Sequence, residues 1–243
     1  MNQFEMTPSS AFEISTVRTA ERVTSFLRAV YGWMFVGLGI TAAIAYGVAQ
    51  SGFAETIART PIVYWGIWIA TFGIAIFLQA RVEKISPGAA SVGFVIYSAL
   101  VGTWLSIIFL AVDPLTIGKT FIVTAGTFGA MAFFGTVTRR SLAGWGQFLY
   151  MGFIGIFLAL LVSVFWPAAA NSAGLQFGIS LIGVIVFTGL AAWKAQQLKQ
   201  MALALPDGRL GAYAVVGALY LYITFINLFL MLLRLFGGGS RRS

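Results

Sequence analysis

The sequence predicts an all-α polytopic membrane protein of seven transmembrane helices, with the last helix surrounded by the other six. Three observations predict it. The 243 residues are 59% hydrophobic and only 9% charged, against about 25% charged in a soluble domain. The apolar residues fall into seven runs, most of them long enough to cross a hydrocarbon core that about 20 residues span. The last run, Gly211 to Phe236, carries a polar stripe: Tyr220, Thr224, Asn227 and Arg234 fall at i, i+4, i+7 and i+14, on one helical face. Lipid offers polar groups no partners, so that face is expected to look at other helices or at water. Taken singly, each of these residues is equally consistent with tolerated packing inside any membrane helix.

In chain order, residues 1–28 read as a leader, 29–236 as a seven-helix membrane domain and 237–243 as a short basic tail. Residues 1–13 are polar. From Ile14 to Val30, Ile14, Val17, Val23, Phe26 and Leu27 alternate with Arg18, Glu21, Arg22 and Arg28, and Ser15 or Thr16 stands at an N-cap position. Two readings stand: a short amphipathic helix lying on the membrane surface, or a solvated leader. The seven runs lie near 29–50, 61–80, 90–112, 118–138, 145–166, 174–194 and 211–236. Turn residues separate them: Pro61 after Arg59; Ser86, Pro87 and Gly88; Asp113 and Pro114; Arg139 and Arg140; Pro167 to Gly174; Pro206, Asp207 and Gly208; and finally Gly237 to Gly239. No internal repeat supports an inverted-repeat transporter.

The formal net charge of +8 reads as a topology signal rather than a nucleic-acid footprint, because the basic residues sit in short loops between apolar runs. Arg18, Arg22, Arg28, Arg81, Lys84, Arg139, Arg140, Lys194, Lys199 and Arg209 share the amino-terminal side. Arg59, Lys119, Arg234, Arg241 and Arg242 lie on the other. The positive-inside rule therefore expects a cytoplasmic amino terminus. Small residues four apart are expected to let helices approach: Gly39 with Ala43, Gly102 with Ser106, Ala125 with Gly129, and Gly126 with Ala130.

The residue inventory removes much chemistry. Without Cys there are no disulfides or thiolate metal sites. Without His there is no serine–histidine site and no usual pH switch. An intramembrane aspartyl protease needs two aspartates at membrane depth, and Asp113 and Asp207 fall in loops on opposite sides. No ligand cluster suits metal hydrolysis, and no Gly-rich loop followed by Lys and Ser or Thr suits phosphate. No enzyme and no cofactor is expected.

Three stretches resemble the Bax inhibitor-1 family, the transmembrane Bax inhibitor motif proteins. VYGWMFVGLGITAAIA from Val30 is similar to the family's first span. TAGTFGAMAFFGTVTRRSLAGWGQFLYMGFIGI from Thr124 is similar to its fourth and fifth, and GALYLYITFINLFLMLLRLFG from Gly217 to its last. The resemblance covers about residues 18 to 237. It implies a central last helix enclosed by six others, and a cation leak, chiefly of calcium, gated by protons. In the family a pair of aspartates carries that gating, one in an Asp-Thr-Gln motif ending the sixth helix, the other just before Phe-Ile-Asn-Leu-Phe in the last. Two adjacent carboxylates share a proton and titrate as a pair, which makes a pH latch.

This chain departs from that pattern at both places. The sixth-helix motif reads Lys194-Ala195-Gln196, and the last helix has Thr224 before Phe225-Ile226-Asn227. Ser141 also stands after Thr138-Arg139-Arg140, where the family often has Asp. A Lys cannot share a proton with a Thr, and an ammonium repels a cation. The candidate pore or gate positions are Lys194, Thr224, Asn227, Tyr220, Glu83 and Arg81. One reading has Lys194 and Glu83 paired across the cytoplasmic ends of the sixth and second helices. The other has Lys194 snorkelling to the headgroups and Glu83 pairing with Lys84 or Arg81 in solvent. Two functions remain open: a leak of calcium or other cations whose gate is altered, with Thr224 and Asn227 offering neutral oxygens suited to a weakly bound monovalent cation; or a non-conducting protein that modulates other membrane proteins or a membrane protease. The resemblance implies a bacterial inner membrane and, as one partner, a membrane-anchored protease.

Overall fold

A computed structural model describes residues 8–166, 172–206 and 209–237. Start of the leader, basic tail, most of the Pro167–Gly174 turn, Asp207 and Gly208 lie outside the described residues. The described chain is helical throughout: α1 Pro8–Gln50, α2 Phe53–Arg59, α3 Pro61–Ala80, α4 Pro87–Leu105, α5 Pro114–Val137, α6 Ala143–Phe165, α7 Ala173–Ala204 and α8 Leu210–Gly237. Seven of these are long and apolar enough to cross a membrane. This is an all-α, seven-span membrane protein.

Helix starts follow from local chemistry. Ser86 and Asp113 accept hydrogen bonds from the N–H groups of Ala89 and Thr116, and each is followed by a proline at the first helical position. Proline has no N–H to leave unpaired there. At Asp113, the Thr116 side chain and backbone N–H hold the carboxyl below its usual range.

Three elements differ from expectation. The amphipathic leader segment is not a separate helix. α1 runs unbroken for 43 residues, about 65 Å, because no Pro or Gly lies between Ser9 and Tyr31 to stop it. Phe26, Leu27 and Val30 are already buried in the bundle. α7 continues ten residues past its predicted end, since Ala195–Ala204 contains only good helix formers. The third run changes from α-helix to a 3₁₀ turn at Ser106–Leu110.

The last helix is the core. Of its most apolar 18-residue stretch 78% is buried, against 11–44% for the other six. α1, α4, α5 and α7 form its wall, α3 touches it, and α6 lies outside against α7. Apolar surface alone does not drive helices together in lipid, so the bundle depends on close packing. A Cβ on Gly102 would lie 2.7 Å from the Thr41 carbonyl oxygen, so that glycine sets the α1–α4 approach. Gly135 is pressed against the Ala192 backbone, where α5 crosses α7. The expected close contacts of Gly39, Gly126 and Gly129 are not formed, for open space lies over all three. The buried face of α5 is Thr120, Thr124, Phe128, Ala132 and Gly135. Positions 125, 126, 129 and 130 therefore point away from the bundle.

Candidate functional site

The helices that carry Lys194 and Thr224 pack against one another. α7 and α8 form the most extensive helix pair in the bundle. Lys194 leaves α7 toward α8, and its Nζ lies 4.7 Å from the ring centre of Tyr220. It is also 4.7 Å from the ring of Trp193 and 6.0 Å from that of Tyr150 on α6. Gln197 Oε1 accepts a long hydrogen bond from it at 3.5 Å. Thr224, one turn beyond Tyr220, is buried and donates its hydroxyl to the Tyr220 carbonyl at 2.9 Å. Asn227 turns back in the same way, giving its amide N–H to the Ile223 carbonyl at 2.8 Å. Thus Lys194 meets Tyr220, while Thr224 and Asn227 lie about one and two turns further along α8 and bond back to their own helix.

Glu83 and Arg81 do not join them. Both are exposed in the turn after α3, and α3 packs chiefly on α4 rather than α7. Lys194 makes no ion pair with Glu83 among the described residues; the aromatic faces take the ammonium instead. Arg234, the far end of the stripe, is exposed.

Two buried polar arrangements escaped the sequence reading. The first joins α1, α4 and α8. Thr41 Oγ1 lies 2.9 Å from the Ser98 carbonyl and 2.5 Å from the Tyr222 hydroxyl. Thr41 has one hydroxyl proton, which goes to the carbonyl, so Tyr222 donates to Thr41. All three residues are buried. The Phe94 and Tyr97 rings meet the Tyr222 ring edge-on, at 5.7 and 5.6 Å. Tyr222 is two residues from Tyr220, about 200° around the helix, so a search along the stripe passes over it. Beside Thr41, an apolar crevice of about 100 Å³ runs between α1, α5 and α8, with Phe121, Phe225 and Phe229 in its wall.

The second arrangement fastens α7 to the α5–α6 turn. Gln196 donates its side-chain N–H to the Arg140 carbonyl at 2.9 Å and accepts from the Leu142 N–H at 2.8 Å. Lys199 Nζ donates to the Thr136 carbonyl at 2.8 Å, placing a cation at the carboxyl end of α5, where the helix dipole favours it. Gln196 is the Gln of the Lys-Ala-Gln motif, so its place in that motif was the available signal. Gln196→Leu is expected to cost about 1 kcal/mol, because the turn is partly exposed and water replaces part of what is lost. Gln196→Glu keeps the acceptor for Leu142 but turns a carboxylate oxygen toward the Arg140 carbonyl, so it should cost at least as much. Thermal unfolding in detergent checks the order.

None of the spans α3 to α8 contains an Asp or Glu. The locus therefore offers a cation only ring faces and neutral oxygens, and it already holds an ammonium. A seven-span helical bundle around a buried terminal helix, with its polar groups at the α7–α8 crossing, defines the class. A family model described as "Inhibitor of apoptosis-promoting Bax1" matches residues 23–242, and the chain belongs to this Bax inhibitor family. It is 43% identical to the Inner membrane protein YbhL of Escherichia coli K12 over 227 residues, covering 92% of this chain and 95% of that one. It is 39% identical to an uncharacterized protein of Borreliella burgdorferi strain B31, over 87% of this chain and 91% of the other. To an uncharacterized protein of Deinococcus radiodurans it is 36% identical, over 92% and 94%.

Proposed function

We propose that this protein is a non-conducting member of its family, closed to calcium and without a proton latch, that acts by binding other proteins of a bacterial inner membrane. One observation carries the reading: where α7 meets α8, the Lys194 ammonium lies over the Trp193 and Tyr220 rings, at a position where the family resemblance implies a carboxylate. A divalent cation approaching this locus meets like charge, with no carboxylate in spans α3 to α8 to offset it. A proton has no carboxyl pair there to titrate. No chemical step belongs to this reading.

Supporting placements follow from charge. The excess of Lys and Arg in the loops on the amino-terminal side favours a cytoplasmic amino terminus, and the name of the YbhL relative agrees with an inner membrane. Under that orientation the basic start of α1, with Arg18, Arg22 and Arg28, faces the cytoplasm as a handle for a membrane-protein partner, a membrane-anchored protease being one class that fits.

The test is calcium and potassium entry into liposomes holding the purified native chain, at pH 6 and pH 8. No entry of either ion above protein-free liposomes is expected at either pH. Potassium entry without pH dependence would instead restore the channel reading, with Thr224 and Asn227 as its neutral oxygens.

A further inference from the structure

We propose that Tyr150, Trp193 and Tyr220 form an aromatic cation site whose resident ligand is the Lys194 ammonium, and that a small alkylammonium ion binds the same site once that side chain is cut back. The three rings come from three helices, α6, α7 and α8, and converge on one Nζ at 6.0, 4.7 and 4.7 Å. A cation within about 6 Å of a ring centre is drawn to its face, most strongly at Trp and most where water is thinned. Lys194 is half-buried. Among the described residues its oxygen partner is Gln197 Oε1, at the long distance of 3.5 Å.

The walls of the site are built rather than incidental. The Trp193 ring lies flush against Gly146 of α6, where any Cβ would collide with it. A glycine at that position lets the indole wedge between α6 and α7 and fixes one face of the cage. Tyr220 is held by its helix, which is the most buried in the bundle.

The chemistry selects a class of ligand. Ring faces attract an organic ammonium, whereas calcium and magnesium require several hard oxygens, carboxylates among them, that spans α3 to α8 do not supply. The site is therefore one for a primary alkylammonium, and the chain supplies its own. So placed, the ammonium ties α6, α7 and α8 together at one point. This does not depend on whether the chain passes ions.

The test uses the full-length protein in detergent. Lys194→Ala removes Cγ, Cδ, Cε and Nζ, which n-propylammonium replaces atom for atom. Lys194→Ala is expected to lower Tm by about 5 °C. Millimolar n-propylammonium chloride should restore at least half of that loss, while n-propanol and sodium chloride at matched concentration should not. Adding Tyr220→Leu should abolish the recovery. Equal recovery with n-propanol, or an unchanged Tm in Lys194→Ala, would overturn the proposal. If Lys194→Ala does not purify folded, Tyr220→Phe and Tyr220→Leu decide in the native-lysine background. Phe keeps the ring face and should hold Tm, Leu should lose it, and equal effects of the two overturn the site.

Discussion

Gly135→Val is expected to yield no folded protein, and Gly135→Ala a protein destabilised by about 3 kcal/mol. The position is where α5 crosses α7, and a Cβ there would overlap the Ala192 carbonyl group. That obstacle is backbone in the middle of a helix, so no rotamer change relieves it. The helices have to separate, and with them goes the anchorage one residue away, where Lys199 holds the Thr136 carbonyl. The same helix supplies the control. Gly126 and Gly129 have open space over them, so alanine at either should be neutral or slightly stabilising through its better helix propensity. Size-exclusion profiles of detergent extracts separate the two outcomes. A native-like monodisperse peak from Gly135→Val would contradict this account of α5–α7 packing.

The second large effect is expected at the buried hydroxyl chain. Thr41→Val leaves the Tyr222 O–H as an unpaired donor in an apolar core, at a cost of about 2 kcal/mol. Tyr222→Phe should cost about 1 kcal/mol, since Thr41 keeps its bond to the Ser98 carbonyl. The double variant should cost less than the sum, because the second change removes the orphan that the first created. Reversible unfolding of the three proteins in mixed micelles reads this coupling. Additive costs would show that the three groups do not act as a chain.

Residues whose signal is local were legible in the sequence. Pro61, Pro87 and Pro114 mark breaks between apolar runs in the sequence, and in the structure each is the first residue of a helix, ahead of the expected starts at 90 and 118 for the last two. The centrality of the last helix followed from its polar stripe, though the groups that lock it in place include Tyr222, which lies on its other side. The sidedness of α5 was not legible. Its glycines and alanines occur around much of the helix, and only the partner surfaces decide that Gly135 is the close contact while Gly126 and Gly129 face away. The continuity of α1 was missed for a related reason. A change from mixed polar to apolar composition at residue 28 reads as a boundary, but the backbone has no breaker there and helix propensity carries straight through.

At the candidate site, the sequence placed Lys194 and Thr224 near each other through the resemblance alone, and the structure packs their two helices together with Lys194 over the ring of Tyr220. What the sequence could not supply was the ammonium's partner. Charge complementarity pointed to Glu83, but geometry leaves that carboxylate exposed after α3 and gives the ammonium three aromatic faces. A Lys beside a Trp, with Tyr150 and Tyr220 distant in sequence, carries no local pattern that marks a cage.

Under the proposed function, Lys194 at the α7–α8 seam keeps this bundle closed to calcium. The most direct measurement is calcium entry into liposomes carrying the Lys194→Asp/Thr224→Asp variant, recorded beside the native chain between pH 6 and pH 8. The native chain is expected to be silent and the variant to leak calcium with pH dependence, because neighbouring carboxylates titrate as a coupled pair. Calcium entry through the native chain at either pH would contradict a closed bundle.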